Sequence, residues 1–453
     1  MSKTRSSIFI AFLMAFCVGI VNAQVNSEDI RPGKNSPYSR IGLGDIENNY
    51  YSASGAMGGI TAAYNNPFHL NLANPAALSF LRQTVFELGL DGAYGGLKSG
   101  TQKDAYWAGN LKYMALGFAL KNKLNQELDQ KNSPWQFGMS LNLTPFASTG
   151  YNIILKGNSD DPELATTNIL KGTGSIYRFT WGNAVRYKGL AFGVNLGYQF
   201  GTLTNNNNVV FDSLRFTFYT ELNNQFSISG LVWNAGIQYQ YDFKKKNAKG
   251  EMIPNGKQFT FGFYGNGIQS FATNSNNYYH RNTIYPNGAY IDTIFAKNEI
   301  LGTGQLPLSW TLGAGYKQDN FKVYFDYNQT RWSDYKNEAK AGELYDTWRF
   351  STGLEYTPDA NSYNSYAKKI RYRVGYYTAT DPRKVGGVQL KQSAVTFGFG
   401  MPIIRKRQQL SFVDLSFEIG TRGIQEALHE NYYKMTLGFT LNDNSWFFKR
   451  KYN

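Results

Sequence analysis

The sequence predicts an all-β protein, a transmembrane antiparallel β-barrel of about fourteen strands with an N-terminal hatch inside its lumen. Three observations carry this reading. The chain has 33 Tyr, 32 Phe and 46 Gly in 453 residues but is only 17% charged, against about 25% in ordinary globular domains. Mean hydropathy is -0.42, and after the first two dozen positions no stretch approaches the ~20 apolar residues that a membrane helix needs. From about residue 84 onward, apolar and polar residues alternate with a period of two, as in strands whose two faces meet different surroundings. A helical membrane protein is excluded, and so is a disordered chain, which would be poor in aromatics and rich in charge.

The first 23 residues read as a secretory signal peptide. Lys3 and Arg5 precede an apolar stretch from Ile8 to Ile20, and Val21-Asn22-Ala23 supplies small residues for cleavage before Gln24. The single cysteine, Cys17, lies in that stretch after Phe16, where a lipoprotein signal needs a small residue. The mature chain then has no cysteine, which excludes a disulfide scaffold, a thiolate metal site and a cysteine nucleophile.

Residues 24–83 are neither alternating nor apolar enough to span. They contain Gly55-Ala56-Met57-Gly58-Gly59 and Asn74-Pro75-Ala76, small residues that let backbone approach backbone, as a compact plug requires. The barrel follows over 84–443. Its strands are expected near 84–97, 104–121, 134–155, 173–188, 189–204, 226–243, 257–270, 307–318, 319–333, 345–358, 368–380, 390–402, 410–423 and 431–443. In the fifth, Leu190, Phe192, Val194, Leu196, Tyr198 and Phe200 alternate with Ala191, Gly193, Asn195, Gly197, Gln199 and Gly201. A soluble sandwich would show the same period, but its strands run about 5 or 6 residues, whereas membrane strands need about 9 to 11. Many of these segments exceed ten.

If the first strand points outward, the turns on the periplasmic side are mostly short, as at Lys188-Gly189 and Gln318-Asp319-Asn320. The outward connections 156–172, 205–225 and 271–306 are long and polar. Both termini are then periplasmic, and residues 444–453 form a basic periplasmic tail. Trp310, Trp332, Trp348 and Tyr356, near strand ends, fit interfacial girdles.

In these segments the sequence resembles the FadL family of outer-membrane channels for long-chain fatty acids and other hydrophobic compounds. Gly58 and Gly59 match the Gly-rich part of that family's hatch, and Asn74, Pro75 and Ala76 its Asn-Pro-Ala motif. Leu141-Asn142-Leu143-Thr144-Pro145-Phe146 is similar to its third strand, Trp332-Ser333-Asp334-Tyr335 to its Trp-Ser strand ending, and Leu437-Gly438-Phe439-Thr440-Leu441 to its terminal strand. This chain departs from the pattern by continuing past that strand to Trp446-Phe447-Phe448-Lys449-Arg450-Lys451. The resemblance implies residence in the outer membrane of a Gram-negative bacterium and passage of hydrophobic small molecules. It also implies lateral exit at a kink around Pro145 and Phe146.

Pro145 has a reading of its own: proline cannot donate to a ladder and is normally excluded from a strand paired on both sides. A break in pairing is expected there, either a bulge that shapes the barrel or a side portal lined by the first three strands. Alternation turns Glu87, Asp91, Lys322, Asp326, Arg349, Glu355, Arg371, Arg373, Asp414 and Glu418 into the lumen. There they either pair with one another and the hatch, or form a site in which Arg371 and Arg373 receive a ligand carboxylate.

Catalysis is not expected. His69, His280 and His429 lie far apart, and no metal-ligand spacing, phosphate loop or nucleophile elbow occurs; no cofactor or metal is expected either. The isoelectric point is near 9.4, and the basic clusters fall mainly on the expected periplasmic side, at Lys244, Lys245 and Lys246 and at Arg405, Lys406 and Arg407. They either contact lipid headgroups or dock an acidic periplasmic protein, and nucleic acid is not an expected partner in that compartment. The expected partners are outer-membrane lipid, a hydrophobic ligand, and periplasmic or outer-membrane proteins. The alternative to a channel is a non-transporting accessory barrel subunit of an outer-membrane protein assembly or secretion complex.

Overall fold

A computed structural model describes residues 36–443, apart from Asn49, Glu251 and the segments 122–132, 158–164, 212–218, 247–249, 286–287, 405–409 and 425–426. The expected signal peptide, the basic tail and the Arg405, Lys406 and Arg407 cluster lie outside the described residues.

Eighteen strands are formed among these residues. In chain order they are β1 (Asp45–Ile46), β2 (Thr84–Ser99), β3 (Gln102–Ala119), β4 (Trp135–Lys156), β5 (Thr166–Tyr187) and β6 (Leu190–Phe211). Next come β7 (Tyr219–Lys246), β8 (Met252–Asn266), β9 (Gln269–Tyr285), β10 (Gly288–Leu306), β11 (Ser309–Gln318) and β12 (Phe321–Thr330). The last are β13 (Lys336–Asn337), β14 (Thr347–Tyr356), β15 (Arg371–Val385), β16 (Val388–Ile404), β17 (Leu410–Gly423) and β18 (His429–Asp443). Fourteen of them, β2 to β8, β11, β12 and β14 to β18, form one antiparallel ring. It closes where β18 pairs with β2, from Asp443 opposite Thr84 to His429 opposite Lys98. Closure leaves no free edge at this seam, as sheet in a bilayer requires.

The ring is inside out compared with a soluble protein. On β7, Leu231 is 77% exposed while Gln238 is 0% exposed; on β12, Phe325 is 49% exposed beside Asp326 at 6%. The apolar half of each alternating strand faces outward, where lipid covers it, and the polar half faces the lumen. The tight turns at the end of the ring where β2 begins and β18 ends place Lys188 and Asp319 at positive φ (54° and 48°), as tight hairpin turns need.

One expected loop is a hairpin. Residues 271–306 form most of β9 and β10, which pair from Tyr285–Gly288 down to Gln269–Leu306. The 28-residue β7 makes this possible: its second half pairs with β8, and its first half, Tyr219 to Ser229, pairs with β9. The wall formed by β4 to β7 therefore continues above the ring as a taller sheet. Trp332 also differs from expectation. It is 7% exposed and packs against Tyr335 in an apolar cluster with Leu43, Phe146, Val232 and Leu306, so it faces the interior and no lipid girdle.

Residues 36–83 pack within the ring. Asn74 caps the short 3-10 turn Pro75–Phe80, accepting from the Ala76 amide at 3.1 Å, while its Nδ2 donates to the Ala62 carbonyl at 2.7 Å. Gly58 has φ +72° and lies against the carbonyls of Thr352 and Tyr376. A Cβ on the facing Gly375 would stand 2.2 Å from the Gly58 nitrogen, so the wall is glycine where the segment touches it. Gly375→Val should cost about 1–3 kcal/mol by overpacking and lower the temperature at which the barrel unfolds in detergent. Gly342→Ala, with open space around it, should leave that temperature unchanged.

Candidate functional site

The lumen-facing charges are largely committed to partners. Glu355 accepts from Lys322 Nζ at 2.6 Å and from Arg373 Nε at 2.7 Å; Arg373 also pairs with Asp414. Asp414 lies 3.7 Å from His69 Nδ1, which is 3.2 Å from Glu87, and Glu87 accepts from the Leu70 amide at 3.1 Å. This chain of groups ties β12, β14, β15, β17 and β2 to the N-terminal segment. Asp326 accepts from the amides of Thr61 and Ala62, at 2.5 and 2.8 Å, and Arg349 donates to the Gly58 carbonyl at 3.0 Å. Gly59 lies beside Arg349.

A second cluster holds the start of the segment. Asp45 accepts from Arg383 at 2.8 Å and Arg422 at 2.9 Å, each guanidinium also pairing with a further carboxylate, Asp381 and Glu430 respectively. Burial pushes the neighbouring Tyr38 phenol up to about 12 in spite of the opposing effect of Arg422, so it stays neutral and donates to the Leu428 carbonyl.

Among the described residues the wall is interrupted beside this segment. Pairing between β3 and β4 runs only from Ala119–Gly138 to Met114–Leu143, although both strands continue well beyond. Each strand is irregular there. Lys112 is left unpaired at a bulge of β3 against β2, and the β4–β5 register shifts between Pro145 and Ala147. The bulge buries Phe146 in the interior cluster. Beyond Leu143 the free side of β4 is taken up from inside the ring. β1 pairs Asp45 with Ser148 and Ile46 with Ala147, the Glu47 amide donates to the Phe146 carbonyl at 2.9 Å, and the Ser36 amide donates to the Gly150 carbonyl at 2.8 Å. The backbone groups that β3 abandons are thus satisfied by the N-terminal segment, as buried peptide groups require.

Two adjoining cavities open on this region. One of about 270 Å³ is lined by Ile46, Phe146, Arg178, Val232, Leu306 and Trp332, among others. The other, about 280 Å³, reaches Leu111, Lys112, Pro145 and Tyr177 at the interruption; the two share Ile46, Asn48, Trp332 and Arg349. Leu306 lies in the cavity wall, whereas Phe295 and Leu301 of β10 are exposed on the taller sheet. Arg178 was not singled out by the sequence. Its guanidinium lies 3.5 Å from the Phe146 ring centroid, its one hydrogen bond is a long one to Gln199 (3.4 Å), and its Nε has no partner among the described residues. Of the two arginines expected to meet a ligand, Arg373 is occupied by two carboxylates and Arg371 lies over Phe412 (4.1 Å), each with one Nη unpartnered among the described residues.

The BamG family model matches residues 6–453 of the chain. The chain belongs to the BamG family. No curated protein matches it. Among solved structures, a Pseudomonas aeruginosa FadL homologue is similar with a TM-score of 0.54 at 10% identity, covering 88% of this chain and 99% of that one. The Ralstonia pickettii toluene transporter TbuX gives a TM-score of 0.51 at 15% identity, covering 87% and 99%. The P. putida toluene transporter TodX gives 0.50 at 15%, covering 88% and 99%. At such identities the likeness is one of fold. This BamG-family chain thus has the fourteen-stranded fold of the FadL-type channels, and it is a barrel of the outer membrane. No helix among its described residues is long and apolar enough to cross a membrane, and no group of His, Cys, Asp or Glu among them is arranged to hold a metal.

Proposed function

We propose that this BamG-family barrel passes hydrophobic small molecules, fatty acids among them, from its far end into the membrane through the interruption between β3 and β4. The observation that carries this is the loss of β3–β4 pairing beyond Met114–Leu143, next to a cavity with an apolar cluster in its wall. The N-terminal segment acts as a hatch. Its buried ion pairs with the wall close the straight path to the periplasm, so the side of the barrel is the easier exit. Arg178, without a counter-ion among the described residues, receives an acidic headgroup while Phe146, Val232, Leu306 and Trp332 receive the tail. No catalytic role is proposed; the solved barrels of this fold are described as toluene transporters and a FadL homologue.

Pro145→Val supplies an N–H at the point where the β4 ladder shifts. Uptake of a fluorescent fatty acid by cells producing the variant should fall several-fold at equal barrel abundance. Uptake equal to the parent's would remove the lateral exit from this reading.

A second reading is an accessory barrel subunit of an outer-membrane protein assembly or secretion complex. It is supported by membership of the BamG family and by the exposed Lys244, Lys245 and Lys246, the last residues of β7. Recovery of a stoichiometric partner in mild detergent would favour it, and an isolated barrel with bound lipid would favour transport.

A further inference from the structure

The end of the ring where β2 begins and β18 ends contains a third cavity, of about 630 Å³, beneath the N-terminal segment. Its wall includes Arg82, Arg186, Lys188, Lys244 and Lys317, together with Lys322, and the one carboxylate among its lining residues is Asp242. Lys322 is neutralised by Glu355. Asp242 accepts from Gln240 at 3.0 Å and forms no ion pair among the described residues.

Three details point to an anionic ligand. Arg186 rests 4.2 Å from the Phe80 ring centroid with its Nε buried and unpartnered among the described residues. Arg82 repels it, and Asp242 attracts it without forming an ion pair among the described residues. Lys317 sits directly opposite Lys322 in the β11–β12 pair, and since Glu355 is taken by Lys322, Lys317 has no carboxylate partner among the described residues. Such an arrangement is unfavourable in the free protein and becomes favourable once a polyanion fills it.

We propose that this cavity docks an extended acidic segment of a periplasmic protein, one presenting several Asp or Glu side chains in a row. Five cations without a carboxylate ion-pair partner among the described residues call for more than one anionic group, which a single phosphate does not supply. The cavity also lies within the mouth of the ring, whereas membrane headgroups meet the ring from outside. Lys245 and Lys246, exposed beside Lys244, extend the positive surface beyond the rim and would steer the segment inward. The proposal gives the subunit reading a partner chemistry and rests on it only for the partner's existence; transport through the side of the barrel is untouched by it.

The test uses the full chain in detergent and a fluorescein-labelled oligoglutamate peptide followed by anisotropy. Saturable binding is expected, weakening steeply as ionic strength rises from about 0.05 to 0.5 M. Arg186→Met combined with Lys317→Met should weaken it by about tenfold or more, Lys244→Met less, and Arg281→Ala on β9 not at all. Unchanged heat-modifiable migration on a gel confirms that each variant is folded. Absence of saturable binding, equal binding by the double variant, or displacement of the peptide by inorganic phosphate or phosphatidylglycerol vesicles at equal charge would each overturn the proposal. The subunit reading fails separately. If the peptide binds but no partner copurifies, the surface stands and that reading falls; a copurifying partner insensitive to the double variant leaves the reading and removes the surface.

Discussion

Asp45→Ala should raise the conductance of the barrel in a planar bilayer above that of the parent. Asp45 is the carboxylate through which Arg383 and Arg422, both buried, hold the start of the N-terminal segment to the wall. Removing one member of a buried ionic network typically costs 3–5 kcal/mol. Here the cost lies near the low end, about 3 kcal/mol, because Arg383 keeps Asp381 and Arg422 keeps Glu430. That shifts the docking equilibrium of the segment about a hundredfold toward release. β1 leaves the side of β4 with it, so both the straight and the lateral paths widen. Asp292→Ala removes the exposed pair with Arg281, worth under about 1 kcal/mol, and should leave conductance as it was. A variant at Asp45 that conducts no better than the parent would show that the segment does not close the lumen.

Arg178→Met should act in opposite directions on stability and on ligand. Methionine covers the Phe146 ring and removes a buried charge that has no carboxylate partner among the described residues, so the unfolding temperature should rise or stay level. Uptake of a fatty acid should fall, because a hydrogen bond to a charged group contributes about 1.5–3 kcal/mol, roughly a tenfold to hundredfold change in affinity. Uptake of a neutral hydrocarbon such as toluene should not change. Equal losses for acid and hydrocarbon would mean that Arg178 shapes the cavity and does not read a headgroup. The same measurement on Arg373→Met separates the two arginines. That substitution strands Glu355 and Asp414 without their shared cation and should destabilise the barrel.

The fourteen barrel strands were legible because lipid and lumen impose opposite chemistries on alternate residues. Leu190, Phe192 and Leu196 face out and Ala191, Asn195 and Gln199 face in, as their order in the chain implies. The β9–β10 hairpin was not legible for a matching reason. It rises above the ring, where no apolar solvent selects one face. Its register also slips between Thr293 and Phe295 and between Lys297 and Ile300, which erases the period. Trp332 resembled a girdle residue by its position near a strand end, but the chain turns inward there, through the 3-10 turn Trp332–Asp334.

Alternation alone determined that Glu355, Arg371, Arg373 and Asp414 point inward, since a side chain's face depends only on its parity along the strand. Which of them meet each other depends on register between strands remote in sequence and on where the N-terminal segment lies. Hence the pairing of Arg373 and the isolation of Arg178 became visible only in the folded chain. Pro145 shows the same division. Its missing N–H marks a weak point in β4, but that β3 leaves there and β1 takes its place follows from the folded ring. The sequence sets what each residue can bond to, and the closed ring decides what is within reach.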